Sequence, residues 1–246
     1  MVEKALAYAH SVQSILQVIQ EQEMDRILEA AGVLADAVAQ DRIVYTFGTG
    51  HSHVIAEDVA YRAGGLVPVD AILEAALTGH EKVRQSEFME RVEGIAKVIL
   101  DYYRPTARDA MVIISNSGRN AAPVEMALEA RQRGLQVIAI TSLAHSQGTT
   151  SRHSSGKKLY ELADVVIDNH CVKGDAMIRM EGLPMPVGAG SGVAGLFILH
   201  SIIVQTIQTL LDRGIQPPVF MSGNLDGADR VNIPLRDRYK GRVKIW

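Results

Sequence analysis

The amino-acid sequence predicts an α/β protein in which helices cover both faces of a mostly parallel, doubly wound sheet. Four short apolar runs rich in valine and isoleucine have the unbroken hydrophobicity of strands buried on both faces; they lie at residues 43–47, 110–115, 136–141 and 165–168. Segments with helical spacing separate these runs, and Gly134 stands where a helix should stop before the third run. Strands that alternate with helices in this order favour right-handed βαβ units.

The first element is a long helical pattern at residues 3–39, with apolar residues such as Ile15, Ile19 and Leu34 on one face. No proline interrupts this pattern, so we expect one long helix or a broken pair. Further helices are predicted at the four segments that follow the same spacing, and residues 66–70 could add another strand. These helical segments are residues 54–63, 90–103, 122–133 and 157–163.

Three segments are predicted to be irregular. Residues 144–156 are rich in serine, threonine and glycine, and we expect them to form a long loop over the carboxyl edge of the sheet. Residues 171–190 combine glycines with two prolines, and the tail at 214–246 shows little periodicity. Because no second domain is evident, we predict a single domain over residues 1–246.

Composition excludes several classes of function. The formal net charge of −3 argues against a nucleic-acid-binding protein, and no basic cluster indicates a membrane surface. Cys171 is the only cysteine, which excludes an internal disulfide and fits a cytoplasmic protein. The most apolar segment, residues 192–211, contains His200, Gln205 and Gln208, so we interpret it as a buried core helix rather than a membrane span.

Two glycine- and serine-rich turns carry the functional signal. The first, residues 48–52 (GTGHS), follows an apolar strand and leads into a predicted helix, and the second, residues 115–120 (SNSGRN), repeats that design. Free backbone N–H groups and the positive end of the helix dipole attract anions at such positions. Each turn alone could be a helix cap with a tight glycine bend. Together they predict a site for a phosphorylated small ligand at the carboxyl edge of the sheet.

The order FGTGHS followed by ISNSGRN resembles the SIS (sugar isomerase) family, over residues 30 to 210. The resemblance implies a flavodoxin-like fold and a phosphorylated sugar ligand, of hexosamine type or similar, in a homodimer or homotetramer without a cofactor or a metal. It implies that Gly50, His51 and Ser52 contact the sugar. The residues that it assigns to the phosphate are Ser115, Asn116, Ser117 and Asn120.

A dinucleotide site is the alternative interpretation of the first turn. Gly48 and Gly50 begin like the dinucleotide fingerprint, and Asp70 follows Gly50 by 20 residues. His53 stands at the third glycine position, however, where a side chain obstructs close packing. His51 and His53 could also suggest a metal pair, but no third ligand follows at a convincing spacing, so we interpret His51 as a sugar contact.

The acid–base groups are harder to assign. Phosphoheptose isomerases and N-acetylmuramic acid 6-phosphate etherases, which this chain resembles, keep a glutamate where Arg62 stands here, and an arginine stays protonated and cannot act as a base. Glu57 and Glu74 are therefore candidates, each of which could also be a solvated helix residue. The resemblance to phosphoheptose isomerases adds His200, on the apolar last helix. Ser191, at the start of that helix, could cap it or contact the ligand.

Two classes of function remain open. The first is an enzyme that isomerises, epimerises or cleaves a phosphorylated sugar by acid–base proton transfer. The second is a sensor module that binds the sugar phosphate without catalysis. This chain shows no appended basic domain, which argues against a transcription factor.

Overall fold

The computed structural model describes residues 2–246, and its centre is a parallel sheet of five strands in the order β2-β1-β3-β4-β5. The strands are β1 Val44–Gly48, β2 Val69–Ile72, β3 Ala110–Ile114, β4 Gln136–Thr141 and β5 Val165–Asp168. A separate antiparallel pair consists of β6 Ala176–Ile178 and β7 Val187–Ala189. This is the doubly wound α/β sheet that the sequence predicts.

Helices connect the strands and cover both faces of the sheet. Within residues 2–246 they are α1 Glu3–Gln22, α2 Met24–Ala39, α3 Ser52–Asp58, α4 Ala75–Thr78, α5 Val83–Met89, α6 Ile95–Tyr103, α7 Ala121–Gln132, α8 Leu143–Gln147, α9 Ser191–Asp212 and α10 Ala228–Tyr239.

The N-terminal pattern is a broken pair, one of the two arrangements that the sequence predicts, with the break at Glu23. Several other predicted helix bounds are wrong. The helix predicted to reach residue 63 ends at Asp58, before the glycine pair at 64–65, and the one predicted from residue 90 begins after Gly94, whose φ is +92°. Only the short 3₁₀ helix Leu159–Glu161 forms in residues 157–163. The tail contains α10, which buries only Ala228 and Tyr239 and therefore shows no apolar period.

Alternate residues of β1, β3 and β4 supply two separate cores. Val44, Val112 and Ile138 point to the face covered by α2, α3 and α9. Tyr45 and Met111, their neighbours along the strands, point to the face covered by α6, α7 and the C-terminal segment, residues 239–246. This alternation explains why the strand sequences are apolar without a break.

The apolar segment predicted to be a core helix is α9, which by length and composition could cross a membrane. In the structure Ile198, Leu199 and Ile202 are fully buried against the core. At Gly195 an added Cβ would lie 2.5 Å from Ile55 Cδ1, so α3 and α9 pack in close contact. The buried face of α9 is thus part of the core.

The connections on the two sides of β1 fix the position of the site. The chain leaves β1 into α3 on one face of the sheet, and it leaves the neighbouring strand β3 into α7 on the other face. Ligands of open α/β sheets bind in the crevice at this switch point, beyond the carboxyl ends of the strands.

Candidate functional site

The two glycine- and serine-rich turns lie side by side at the switch point. Gly48, the last residue of β1, pairs with Ile114, the last residue of β3. The first turn (residues 48–52) and the second turn (residues 115–120) therefore lie at the same level of the sheet. The carboxyl edge brings together the two motifs that are 67 residues apart from Gly48 to Ser115 in the sequence.

The second turn is held in shape by its own serine and by the neighbouring strands. The Ser115 hydroxyl accepts a hydrogen bond from the Gly118 N–H at 3.2 Å, and Thr141 Oγ1 donates to the Ser115 carbonyl at 2.7 Å. Asn116 Oδ1 accepts from Asn169 Nδ2 at 2.9 Å. Ser115 and Asn116 thus use their side chains to support the turn.

The second turn leaves several hydrogen-bond donors without a partner, and these donors indicate a site for an anion. The half-buried Ser117 hydroxyl has no hydrogen-bond partner within residues 2–246, and neither have the backbone N–H groups of Asn116, Ser117, Arg119 and Asn120. These groups lie at the N-terminus of α7, a helix of 12 residues whose cap residue Asn120 makes no side-chain cap hydrogen bond. Unused donors at a helix N-terminus are the arrangement that binds phosphate.

Basic side chains lie around the second turn. Arg152, from the serine-rich loop, donates to Asn120 Oδ1 at 2.8 Å, and Arg119 donates to Thr150 Oγ1 at 3.1 Å. Burial and then the positive charges of Arg119 and Arg91 lower the pKa of the Arg152 guanidinium. Across residues 2–246 none of these three arginines forms an ion pair, so their charge remains available to an anionic ligand.

The first turn contacts a glutamate, Glu90, that the sequence did not indicate as a site residue. Thr49, which is buried, donates from its hydroxyl to Glu90 Oε2 at 2.8 Å. The Glu90 carbonyl accepts from the Ala122 N–H at 2.9 Å, which ties the same residue to the start of α7. Glu90 therefore bridges the two turns. It follows α5 in a charged stretch with no motif spacing, so no sequence signal could have selected it.

A small cavity of about 120 Å³ adjoins the first turn. Gly50, His51, His53 and His80 are among the residues that line it. The His53 and His80 rings lie 5.8 Å apart between centroids, and His80 Nδ1 is 2.6 Å from Thr78 Oγ1. His51 is exposed at this cavity and Ser52 is half-buried at the start of α3. Of the three residues assigned to the sugar body, Gly50 and His51 thus line this cavity, and Ser52 follows them directly in the chain.

The three acid–base residues predicted from the sequence lie on three different elements. Glu57 is exposed on α3, and Glu74 precedes α4 just beyond the carboxyl end of β2. His200 Nε2 lies 2.7 Å from Asp58 Oδ2, and Asp58 accepts from Arg62 at 2.7 Å. His200 lines a groove between α1, α2 and α9 to which neither turn contributes, so the structure separates it from the crevice.

The Ser191 hydroxyl is hydrogen-bonded to a carboxylate of this chain, that of Asp175. This hydroxyl donates to Asp175 Oδ2 at 2.7 Å, and Asp175 Oδ1 accepts the backbone N–H groups of Gly190 at 3.1 Å and Ser191 at 2.8 Å. Asp175 therefore fills the N-terminus of α9, where an anion would otherwise be stabilised.

Asp70, the acidic residue that a dinucleotide site would need, is not available to a ligand. Asp70 is fully buried, and its two carboxylate oxygens accept the backbone N–H groups of Lys244 at 2.8 Å and Ile245 at 3.1 Å. Burial raises the pKa of Asp70 to about 6. A carboxylate that is enclosed by the C-terminal segment cannot reach a ribose. Residues 2–246 also contain no group of three or more His, Cys, Asp or Glu placed to hold a metal ion.

Comparison with known proteins agrees with this geometry. The SIS domain model matches residues 7–142. A UPF0309 protein of Halalkalibacterium halodurans is 46% identical over 232 residues, which cover 94% of this chain and 96% of that protein. Among solved structures, the phosphoheptose isomerase of Neisseria gonorrhoeae is similar with a TM-score of 0.60 at 18% identity, covering 84% of this chain and 98% of the other.

A second solved structure is similar in fold. The Vibrio vulnificus NanR protein complexed with ManNAc-6P gives a TM-score of 0.54 at 15% identity, covering 85% of this chain and 64% of that one. At such low identity the two solved structures establish only the fold, whereas the SIS domain match covers more than half of the chain. The chain belongs to the SIS domain family.

Proposed function

We propose that this protein binds a phosphorylated sugar, of hexosamine type or similar, in the crevice between its two turns and moves a proton between neighbouring sugar carbons. The observation that carries this proposal is the second turn, where a free serine hydroxyl and free backbone N–H groups meet at the N-terminus of α7. A phosphate group placed there would accept hydrogen bonds from Ser117 and from the backbone, with Arg119 and Arg152 at the rim.

The sugar body would then extend from the second turn towards the first turn, past Glu90. An isomerase needs a base that takes the proton from the carbon beside the carbonyl group and returns it to the neighbouring carbon. Glu90 has a carboxylate at this place, and the Thr49 hydroxyl holds one of its oxygens in position. The second carboxylate oxygen, Oε1, has no hydrogen-bond partner within residues 2–246 and is free to accept the proton.

Binding without catalysis is the second candidate function, and one observation favours it. Arg62, which stands where the enzymes named above keep a glutamate, forms an ion pair with Asp58, and Asp58 in turn contacts His200. These three residues are engaged with one another, so this part of the family mechanism is replaced by a structural contact. A sensor module would need the second turn but not Glu90.

Two proposals concern assembly and location. The groove between α1, α2 and α9 has a volume of about 620 Å³ and includes the exposed apolar residues Leu28, Val193 and Val204. We assign this apolar surface to a second copy of the chain, in the homodimer or homotetramer expected from the sequence. The location remains cytoplasmic in this proposal, because the one cysteine, Cys171, is a buried free thiol.

The test combines binding with proton exchange. Calorimetry with a panel of hexose and hexosamine 6-phosphates, and with the same sugars lacking phosphate, should show binding that depends on the phosphate. Ser117→Ala should weaken it by about 1.5–3 kcal/mol, roughly 10- to 150-fold in Kd, since one hydrogen bond to a charged group is lost. Ser14→Ala, on the exposed face of α1, is the matched control.

Catalysis is measured separately, as deuterium incorporation into the sugar followed by NMR in D₂O. An isomerase should incorporate deuterium at the sugar carbon beside the carbonyl, and Glu90→Gln should slow this incorporation about 10²-fold or more while binding is kept. Equal affinity for sugars with and without phosphate would refute the proposed function. Binding that depends on phosphate but brings no deuterium into any sugar would leave the sensor module as the function.

A further inference from the structure

His53 and His80 form a pair that the proposed proton transfer at carbon does not use. Both rings line the cavity of about 120 Å³ beside Gly50, which is separate from the second turn. Their centroids are 5.8 Å apart with the planes inclined at 44°, so the rings face the same small space without stacking. Imidazole is the side chain that most readily takes up and releases a proton near neutral pH.

Hydrogen bonds fix the orientation of both rings. His53 Nδ1 contacts the Gly50 carbonyl, which can only accept, so Nδ1 of His53 carries a hydrogen. The Thr78 hydroxyl donates to the Ala75 carbonyl at 3.3 Å, which leaves its oxygen to accept from His80 Nδ1 at 2.6 Å. Each ring therefore uses Nδ1 for a protein contact, and within residues 2–246 neither Nε2 has a partner.

The position of the two histidines would bring them close to the end of the sugar that is remote from the phosphate. Helix α5 has Val83 and Ser86 in the cavity wall, and Glu90 follows one turn later. The strand order β2-β1-β3 places His80 beyond β2, Thr49 with its partner Glu90 beyond β1, and the phosphate turn beyond β3. In a hexose 6-phosphate the anomeric carbon lies at the end remote from the phosphate. The bond between this carbon and the ring oxygen must break before a carbonyl group is available for isomerisation.

We infer that His53 and His80 are the acid–base pair that opens the ring of the sugar phosphate, an assignment that rests on the proposed function. In this step Nε2 of the neutral ring removes the proton from the anomeric hydroxyl group. The bond from the anomeric carbon to the ring oxygen breaks as the carbonyl forms, and the protonated ring donates its Nε2 proton to the departing oxygen. One proton has then passed from one imidazole to the other, and the step consumes no co-reactant.

The variants His53→Asn and His80→Asn isolate this role. The amide nitrogen of asparagine can replace Nδ1 in the contacts with Gly50 and Thr78, so the fold is retained while Nε2 is lost. His10→Asn, on the exposed part of α1, is the matched control. Circular dichroism and the calorimetric affinity for glucose 6-phosphate or glucosamine 6-phosphate verify that each variant is folded and binds.

The measurement is the exchange between the α and β anomers of the bound sugar phosphate, followed by NMR saturation transfer, because anomers interconvert through the open form. The wild-type protein and His10→Asn should accelerate this exchange, and each Asn variant in the cavity should lower the acceleration about 10²-fold. Glu90→Gln, which removes the base proposed for the later step at carbon, should slow deuterium incorporation about 10²-fold or more, and His10→Asn should leave both anomer exchange and deuterium incorporation at the wild-type level.

The outcomes separate this inference from the proposed function. Anomer exchange that persists in both cavity variants would overturn the inference, as would a wild-type protein that binds the sugar phosphate without accelerating anomer exchange. In those cases the binding site in the crevice stands. Failure of the wild-type protein to bind any phosphorylated sugar would instead remove the proposed function, and the ring-opening pair with it.

Discussion

Gly118 offers a direct test of the second turn, because its backbone has a conformation that other residues avoid. Its φ is +58°, in the left-handed region. An added Cβ would lie 2.9 Å from Ser146 Oγ and 3.2 Å from Thr141 Oγ1, both of which belong to fully buried residues. The substitution Gly118→Ala should therefore strain the backbone and overpack its surroundings at once.

The two costs can be estimated separately. The left-handed conformation costs a residue with a Cβ about 1–2 kcal/mol. Overpacking a filled site costs about 1–3 kcal/mol, and Thr141 cannot move freely because its hydroxyl donates to Ser115. Their sum, about 2–5 kcal/mol, is a large part of the 5–15 kcal/mol that is typical of a folded domain.

Urea denaturation followed by circular dichroism measures the free energy of unfolding of the variant. The matched control is Gly32→Ala, because Gly32 lies within α2 and an added Cβ there meets nothing within 4 Å. This control should gain about 0.5–1 kcal/mol, the usual advantage of alanine in a helix. Calorimetry at a temperature where Gly118→Ala remains folded should also show weaker binding of sugar phosphate, since the strained turn presents its donors in altered positions.

A Gly118→Ala protein as stable as the wild type would refute the description of the turn. It would mean that residue 118 can change its φ, or that Ser146 and Thr141 can move aside at little cost. Lost stability with unchanged affinity would keep the packing argument but would contradict the role of the turn in holding the phosphate.

Light scattering should show a homodimer or homotetramer at micromolar concentration, and Val204→Asp, on the exposed apolar face of α9, should give monomers because a charge cannot be buried unpaired. Among the candidates predicted from the sequence, Glu57, Glu74 and His200, replacement of at least one by Gln or Ala should lower turnover about 10²-fold with binding kept, which kinetic assays on the active sugar measure. Burial raises the pKa of Asp70 from 3.8 to about 6, so the folded state binds the extra proton between those pH values. Its contribution to the free energy of unfolding should therefore fall by about 3 kcal/mol as the pH rises from about 4 to 6, and the pH dependence of the wild type relative to Asp70→Asn in urea titrations measures this loss.

The sequence was sufficient for the sheet and for both turns because each of these features is local. A buried parallel strand is apolar without a break, and the turns after residues 48 and 114 combine glycine and serine before a helix. The SIS resemblance follows from the same local residues. Helix α10 shows the opposite case, because it buries only Ala228 and Tyr239 and contains Pro234, so neither period nor propensity indicates it.

The details of the site depended on contacts between distant residues. Glu90 is a candidate site residue only because the fold places Thr49 of the first turn beside it. Ser191 looks free in the sequence, but Asp175, in the preceding loop, takes its hydroxyl and the start of α9. Asp70 has the spacing of a ribose ligand but is enclosed by the C-terminal segment, which no local pattern could predict.

The attachment of the C-terminal segment to Asp70 makes residues 244–246 a condition for stability. Both contacts use backbone N–H groups, those of Lys244 and Ile245, so a point substitution there retains them whereas a chain cut before Lys244 loses both. The cut would also remove Trp246, which packs against Phe220 and Tyr61. A buried carboxylate without donors is costly, so prematurely terminated products of this gene should be recognised and degraded by cellular proteases, although their sheet and crevice are complete.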